Sequence, residues 1–372
     1  MRLTHVVTLA GASGAYGGPL RVALEQCKEM MRRGHEVSLV AGWIDATEPP
    51  SSLEGVPARL VRVHRTVPGP RFSGLFSAAM EAELKQVAER SDVMHVHLAR
   101  DLVPLRATSA ARRARTPYVV QTHGMIVADS RLQARLVDSV GTRTALEGAA
   151  ARLVLTEIER TALAQVTGAP TTILRNGVML DDGLQWKAPA TEDVLFLARL
   201  HPRKRVMVFA EAARILHERF PEARFTVIGP DGGDSATLND FANAHPNIGL
   251  HLEEGALPPD EVRQRMARAS LYVLPSVDEP FPMTVLEALA VGTPTIMTDS
   301  CGIADELRAR QAAVVIDHEV ESLVNAVAAL LDSPNELLAL GQRGRAAAAE
   351  LYSMGAVGDV LDSIYDHAVH AR

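Results

Sequence analysis

The chain has 372 residues, of which 47% are hydrophobic and 22% are charged, and its formal net charge is −7. This is the composition of an ordinary globular protein, and the length predicts two domains rather than one. No apolar run reaches the roughly 18 residues of a membrane-spanning helix, and the short apolar N-terminal run leads into a glycine loop rather than a signal-peptide cleavage site. The two cysteines are far apart and lack metal-ligand spacing, so we expect a cytoplasmic protein.

Charge is distributed unevenly along the chain. Residues 1–170 hold 21 Lys/Arg and 16 Asp/Glu, whereas residues 171–372 hold 17 and 29. Two interpretations remain open: the arginines cover solvated helix faces, or the basic half meets an anionic surface such as a membrane. We expect no nucleic-acid partner, and the sequence indicates no oligomeric state. The arginines concerned are Arg59, Arg62, Arg65, Arg71, Arg106, Arg112, Arg113 and Arg115.

The first elements form one parallel βαβ unit. Residues 4–10 are apolar and β-branched, which predicts a buried strand, and a glycine loop follows at residues 11–18. Apolar residues then recur with a helical period from Leu20 to Arg33, Gly34 ends the helix, and the next strand covers residues 36–41.

The alternation of strands and helices continues along the whole chain. The pattern predicts further strands at residues 58–63, 93–96, 118–121, 153–155, 172–174, 194–197, 225–228, 248–251, 271–274, 295–297 and 313–316. It predicts helices at residues 77–90, 102–114, 131–149, 158–166, 205–219, 234–244, 260–269, 284–290, 319–331, 336–349 and 354–370. Residues 47–74 are rich in Pro and Gly and predict irregular loops, and residues 176–190 resemble a linker.

The fold class is therefore α/β, with two Rossmann-like parallel-sheet domains. We place the first domain at residues 1–174 and the second at residues 175–353. Ligands of such sheets bind beyond the carboxyl ends of the strands, so two domains that face each other would enclose an interdomain cleft.

Two features of the first half could bind a ligand. Gly17 and Gly18 precede a helix and would let the backbone approach a diphosphate, although a simple tight turn explains them equally well. His123 follows a predicted strand and could hold a substrate hydroxyl. His95 and His97 share one strand face, but metal binding would need a third ligand that the sequence does not place.

The second half offers cations and carboxylates after its strands. Arg199, Lys204 and their basic neighbours would neutralise phosphates, unless they form a solvated turn. Thr284 stands at a helix start, whose free N–H groups suit an anion. Glu279 precedes that start, and Glu287 lies in an apolar helix, where a carboxylate is costly without a partner.

Taken together, these residues resemble the retaining glycosyltransferases of family 4, which have the GT-B fold. The resemblance rests on Gly17-Gly18, Arg33-Gly34-His35-Glu36-Val37, Thr122-His123-Gly124, Asn176-Gly177-Val178, Arg199 with Lys204, Gly229, the Glu279-to-Glu287 spacing, and Ser300-Cys301-Gly302. It covers nearly the whole chain in the same order.

The resemblance implies transfer of a hexosyl unit from a UDP- or GDP-linked sugar to a hydroxyl acceptor, with retained configuration and without a metal or other cofactor. It implies catalytic roles for His123, Arg199, Lys204 and Glu279. It implies a donor site formed by Gly17, Gly18, Arg199, Lys204, Gly229, Glu279, Phe281, Pro282, Met283, Thr284 and Glu287. Tyr16, His97 and Met125 are acceptor-side candidates, and the segment 354–372 is expected to pack back on the first domain.

Such an enzyme would serve polysaccharide, glycolipid or glycoconjugate biosynthesis. A lipid-linked acceptor would fit peripheral contact of the basic domain with the inner membrane face. Pro280, Pro282, Arg205 and Cys301 stand where glycines are frequent in the family, which bears on the choice of donor. Two other classes remain open: a sugar-nucleotide epimerase on a similar scaffold, and a binding protein without turnover.

Overall fold

A computed structural model describes residues 1–11, 18–67, 73–127, 137–181, 183–189 and 191–370. The chain divides into two compact units. Unit 1 comprises Met1–Gly177 and Met354–Arg372, and unit 2 comprises Val178–Ser353. The boundary follows Gly177, slightly after the residue 174 expected from the sequence, and the segment from Met354 belongs to unit 1.

The main sheet of unit 1 has the strand order β10-β9-β8-β7-β1-β2-β4-β3. Its pairs are parallel except for β3 with β4. A separate antiparallel pair joins β5 and β6. The strands of unit 1 are β1 Arg2–Ala10, β2 Glu36–Trp43, β3 Ser52–Leu53, β4 Val56–Arg62, β5 His64–Arg65, β6 Leu75–Phe76, β7 Val93–His97, β8 Tyr118–Gln121, β9 Ala151–Val154 and β10 Thr172–Ile173.

Helices cover both faces of this sheet, which explains why β7 and β8 are buried along their whole length. One core includes Met80 and Val103 from α2 and α3. The other includes Cys27 from α1 and Leu361 from α13. The helices of unit 1 are α1 Gly18–Arg32, α2 Ala78–Arg90, α3 Leu102–Ala114, α4 Arg143–Glu147, α5 Glu157–Ala164 and α13 Met354–His370.

The sheet of unit 2 has the order β13-β12-β11-β14-β15-β16, with every pair parallel. Its strands are β11 Asp193–Leu197, β12 Arg224–Gly229, β13 Leu250–Glu254, β14 Leu271–Leu274, β15 Thr295–Thr298 and β16 Val314–Ile316. Its helices are α6 Val206–Leu216, α7 Ser235–Ala244, α8 Pro259–Arg268, α9 Met283–Val291, α10 Ala304–Ala309, α11 Val320–Leu331 and α12 Pro334–Ala347.

The structure corrects the sequence prediction in two stretches. Residues 47–74 are not only irregular loops, because β3 and β4 form a hairpin there and β5 pairs with β6. Glu54 and Gly55 turn the hairpin with φ of 49° and 84°, a conformation suited to tight turns. The helix predicted over residues 131–149 is described only from residue 137, as a π-helical turn at Asp138–Thr142 followed by α4.

Within the described ranges, no single helix is both long and apolar enough to cross a membrane. The segments Val320–Leu331 and Pro334–Tyr352 meet that test only as a pair, and they are bent by 105°.

Candidate functional site

Lys204 and Glu279 form the centre of the candidate site in unit 2. The Lys204 Nζ donates to Glu279 Oε2 at 2.5 Å, with side chains only 17% and 10% exposed. Lys204 ends a short 3₁₀ turn after β11, and Glu279 lies in the loop after β14. Because β11 and β14 are neighbours in a parallel sheet, their carboxyl ends bring the two side chains together.

The cations near Lys204 have different surroundings. Arg203, a basic neighbour of Lys204, places Nη2 3.8 Å from Glu279 Oε2. Arg199 is exposed, and among the described residues it forms no ion pair. Arg205 has φ of 56°, a left-handed conformation that glycine adopts most easily, and glycine is frequent at this position in the family. The Arg205 side chain donates to the His318 carbonyl oxygen.

The start of α9 lies beside the carboxylate loop. Pro282 is its N-cap residue, and no side chain caps the helix. The N–H groups of Met283 and Thr284 therefore lie in the first turn, where an α-helix leaves its donors without backbone partners. Phe281 is buried and packs edge-on against the Tyr352 ring, with centroids 6.2 Å apart. The predicted anion-binding position is thus a helix start that follows a well-packed aromatic residue, Phe281.

Tyr272 connects these parts and is a residue that the sequence reasoning missed. Its hydroxyl lies 2.7 Å from Thr284 Oγ1 and 3.2 Å from the Leu197 carbonyl oxygen. Burial raises the pKa of this phenol, and nearby Glu287 and Glu279 add to the increase. Glu287 is only 5% exposed. A polar aromatic residue in the apolar strand β14 was the available signal.

Gly229, at the end of β12, has a structural reason for lacking a side chain. A Cβ atom there would lie 1.9 Å from the Ala198 carbonyl oxygen. The backbone that follows β11 could not approach β12 so closely beside any other residue. The loop that carries Lys204 therefore depends on Gly229, whether or not this glycine contacts a ligand.

In unit 1, a buried carboxylate holds the loop that carries His123. Glu159 Oε1 accepts from Thr122 Oγ1 and from the Gly124 N–H, each at 2.5 Å. Its other oxygen accepts from the Leu155 N–H at 2.6 Å. His123 itself has φ of 50°. The sequence reasoning missed Glu159, although Thr156 followed by Glu159 has the spacing of a helix N-terminal capping box.

His123 belongs to a cluster of stacked histidines. Its Nε2 lies 2.7 Å from His97 Nδ1, and His97 Nε2 lies 3.2 Å from His5 Nδ1. Burial lowers the pKa of His123 and of His5 to about 3, and it lowers the pKa values of His95 and His97 well below their ordinary range. These rings are therefore neutral at physiological pH.

His5 is the third histidine that the sequence did not place beside His95 and His97. Ring nitrogens of the three lie within 4.8 Å of one another, which is close enough to consider a metal ion. However, the rings of His95 and His97 are stacked with an interplanar angle of 4°, so their lone pairs lie in parallel planes and do not converge. Hydrogen bonding explains this cluster better than metal ligation.

The remaining predicted residues belong to unit 1. Tyr16 and Gly17 fall outside the described residues. Gly18 is the first residue of α1, and a Cβ atom there would meet nothing within 4 Å. Met125 is half-buried and donates its backbone N–H to the Thr122 carbonyl oxygen. His97 is 1% exposed, so its contact is with His123 rather than with solvent.

Two family models match the chain. Residues 17–177 match the "Glycosyl transferase 4-like domain", and residues 186–347 match "Glycosyl transferases group 1". Over its full length the chain resembles the D-inositol 3-phosphate glycosyltransferase of Mycobacterium avium (strain 104). The identity is 28%, and the alignment covers 96% of this chain and 90% of the relative.

Solved structures show the same fold. Sucrose-phosphate synthase from Thermosynechococcus elongatus aligns with a TM-score of 0.72 and 17% identity, covering 100% of both chains. Anabaena HepE, solved in complex with UDP, aligns with a TM-score of 0.75 and 17% identity, covering 98% of this chain and 100% of the other. These likenesses confirm the predicted GT-B fold.

Proposed function

This chain belongs to the group 1 glycosyl transferases, and its sequence features are those of family 4. We propose that it is a retaining enzyme that uses a nucleoside diphosphate sugar. The proposed reaction moves a hexosyl unit from a UDP- or GDP-linked donor to a hydroxyl acceptor. The observation that carries this proposal is the partly buried ion pair of Lys204 with Glu279 beside the uncapped start of α9.

This arrangement suits a departing diphosphate. Negative charge builds on the diphosphate as the glycosidic bond breaks, and the Lys204 ammonium is already held at the loop by Glu279. The N–H groups at the start of α9 add fixed positive dipoles. Cations and helix dipoles supply what a divalent ion would otherwise supply, so we propose that donor cleavage proceeds without a metal.

The sugar nucleotide would extend on both sides of the diphosphate. Glu287 is buried in α9, one turn past its start, and would bind the ribose hydroxyls, whereas Glu279 would bind hydroxyls of the transferred sugar. A solved structure of Anabaena HepE contains UDP, which favours a uridine donor among the two proposed classes.

His123 would contact the transferred sugar through the ring nitrogen that His97 does not engage. The ring is neutral, since burial lowers its pKa to about 3, so it would donate or accept a hydrogen bond rather than carry charge. By resemblance to the family, the acceptor attacks from the leaving-group face and a phosphate oxygen takes its proton. No residue of the chain is proposed as a nucleophile.

The basic surface of unit 1 is partly neutralised. Arg59 pairs with Glu83 at 2.8 Å, and Arg62 lies 3.6 Å from Glu48. We therefore make a separate proposal, that unit 1 contacts an anionic membrane and that the acceptor is lipid-linked. Flotation with anionic and neutral liposomes at low and high salt would test it, and absence of binding under every condition would contradict it.

The donor proposal is tested by ligand binding and turnover. The midpoint temperature of thermal unfolding should rise in the presence of a UDP- or GDP-sugar and not of an ADP-sugar. The rise should be the same with and without EDTA. Lys204→Ala and Glu287→Ala should each reduce donor binding or turnover by about 100-fold, because each removes a contact to the charged or ribosyl part of the donor. Product anomers read by NMR would report retention or inversion.

Lys187→Ala is the matched control. Lys187 is exposed and is the other lysine of unit 2, so its loss changes the net charge equally without touching the site. Wild-type donor use by the Lys204→Ala and Glu287→Ala variants would refute the proposal. Interconversion of the donor without any acceptor would instead support the epimerase alternative.

A further inference from the structure

The strand order of unit 1 defines a crevice between β1 and β7. The chain runs from β1 through β2 to β4 on one side of the sheet, and it then crosses back to add β7, β8, β9 and β10 on the other side. Because β1 and β7 pair in parallel, their carboxyl ends lie at the same edge of the sheet. Ligands of open parallel sheets bind beyond the strand ends at such a change of direction, so this edge is a ligand position of unit 1.

Thr8 and Asp101 meet across this crevice. Thr8 lies near the end of β1, and Asp101 follows β7 at the start of α3. The Thr8 hydroxyl donates to Asp101 Oδ2 at 2.8 Å, whereas Oδ1 accepts no hydrogen bond from the residues that the structure describes. We propose that Asp101 binds the sugar acceptor, with an acceptor hydroxyl donating to Oδ1.

Helix capping does not explain this carboxylate. Asp101 is the N-cap residue of α3, but its side chain makes no capping hydrogen bond. The third residue of the helix is Pro104, which has no N–H group to offer a capping side chain. The carboxylate instead contacts Thr8 on another element, so its position is fixed across the crevice.

The surroundings of Asp101 leave its charge incompletely compensated. Asp101 is half-buried, and burial raises the pKa of its carboxyl, while the Thr8 hydrogen bond offsets only part of this increase. Its neighbour Arg100 pairs with Asp138 at 2.7 Å, and no cation of the described ranges pairs with Asp101. A donor supplied by a ligand would therefore lower the cost of keeping this carboxylate ionised.

The chemistry favours a neutral hydroxyl as that donor. An ionised carboxylate only accepts hydrogen bonds, so its ligand must be a hydroxyl or an ammonium group. Residues 1–170 hold 21 Lys/Arg against 16 Asp/Glu, which disfavours a cation. The ligand class is therefore a sugar or another polyol. Its identity as the acceptor rests on the proposed function, whereas the binding site itself does not.

Binding of a simple sugar tests the site without turnover. Titration with methyl α-D-glucopyranoside, followed by saturation-transfer NMR, should show binding to the wild type. Asp101→Ala should raise the Kd about tenfold or more, because a hydrogen bond to a charged group is lost. Propylammonium chloride should show no binding that depends on Asp101. A wild type that does not bind the sugar, an unchanged Kd in Asp101→Ala, or Asp101-dependent binding of propylammonium would overturn the proposal.

Asp92→Ala is the matched control. Asp92 is also a half-buried aspartate next to β7, but it precedes the strand and so lies at the opposite edge of the sheet. Its carboxylate accepts from Arg2, at 2.7 Å from both the backbone N–H and the guanidinium. This variant should keep the wild-type Kd for the sugar, and an increase equal to that of Asp101→Ala would contradict the site.

Two further variants keep the test decisive. Thr8→Val removes the hydrogen bond to Asp101 but keeps the carboxylate, so it should weaken sugar binding less than Asp101→Ala does. Equal weakening would assign the effect to the Thr8 contact and overturn the proposal. If Asp101→Ala fails to fold, Asp101→Asn replaces it. This change keeps the shape but removes the charge, and it should raise the Kd about threefold or more; an unchanged Kd would overturn the site.

Kinetics test the acceptor role. With a UDP- or GDP-sugar as donor, Asp101→Ala should raise KM for methyl α-D-glucopyranoside about tenfold or more, whereas KM for the donor should stay within about twofold. A raised donor KM with an unchanged acceptor KM would overturn this role. Failure of the proposed function would show differently, as Asp101-dependent sugar binding by a wild type that transfers no sugar from any donor.

Discussion

At the scale of single residues, Gly229 predicts a stability effect in unit 2. Gly229→Ala should lower the free energy of unfolding by about 1–3 kcal/mol, because the new Cβ would collide with the Ala198 carbonyl oxygen and displace the backbone. Urea unfolding measures the change. Gly18→Ala is the control, since its Cβ would meet nothing within 4 Å. Equal stability of both variants would contradict this packing.

The same scale shows which parts of the site the sequence could predict. Lys204 and Glu279 follow neighbouring strands, so the rule for parallel sheets brought them together correctly. His5 was missed because its partner His97 is distant in sequence. The contact of Glu159 with Thr122 also joins residues that are far apart in the chain. His5 lies in an apolar strand and reaches His97 only after β1 pairs with β7, a register that the sequence alone does not reveal.

At the scale of elements, Arg33 joins α1 to α13. Its guanidinium donates to Glu29 at 2.7 Å, to Asp359 and Asp362 at 2.8 Å, and to the Gly355 carbonyl oxygen at 2.7 Å. The Arg33 side chain is 18% exposed and that of Glu29 is 6% exposed. These bonds anchor one end of α13 against the first helix of the chain.

Arg33→Ala should therefore destabilise unit 1 by about 3 kcal/mol, since it leaves Glu29 and Asp362 with fewer partners in a largely buried place. Arg32→Ala should cost at most about 1 kcal/mol, because Arg32 is 67% exposed and its charge partner is also Glu29. Thermal unfolding of the wild type and of both variants gives the loss of stability in each variant. Equal losses would indicate that burial around Arg33 contributes little.

Elements with a clear apolar pattern were predicted best. The bounds of α3, α13 and β8 agree with the sequence pattern to the residue, because each has a clear apolar period or a continuous buried run. β3, β5 and β6 were not predicted, since each has two residues and forms only through its pairing partner. The short helix α10 was missed because six residues carry too little periodicity.

At the scale of the whole molecule, the buried histidines predict acid sensitivity of unit 1. The pKa of His5 and of His123 is lowered to about 3, so these rings stay neutral in the folded state while unfolded histidines take up protons below pH about 6.5. The free energy of unfolding should therefore fall as pH decreases from about 6.5 towards 3. The slope is about 1.4 kcal/mol per pH unit for each such histidine.

The two tryptophans allow this to be measured unit by unit. Trp43 is buried in unit 1 and Trp186 is buried in unit 2. In Trp186→Phe, fluorescence of Trp43 should report a urea midpoint that drops between pH 7 and pH 5. In Trp43→Phe, the midpoint from Trp186 should change less over the same range. An equal drop in both would assign the acid sensitivity to other groups.

The return of the chain to unit 1 sets an order for synthesis on the ribosome. All of Val178–Ser353 is translated before α13, so unit 2 has its complete sequence while unit 1 still lacks Leu361 and Tyr365 from its core. Until α13 is translated, the apolar surface of unit 1 that α13 covers stays exposed, and chaperones would bind there. The buried hydrogen bonds of the Tyr365 hydroxyl with His95 and His5 form only when α13 arrives, so this part of the unit 1 core is completed after both sheets have been translated.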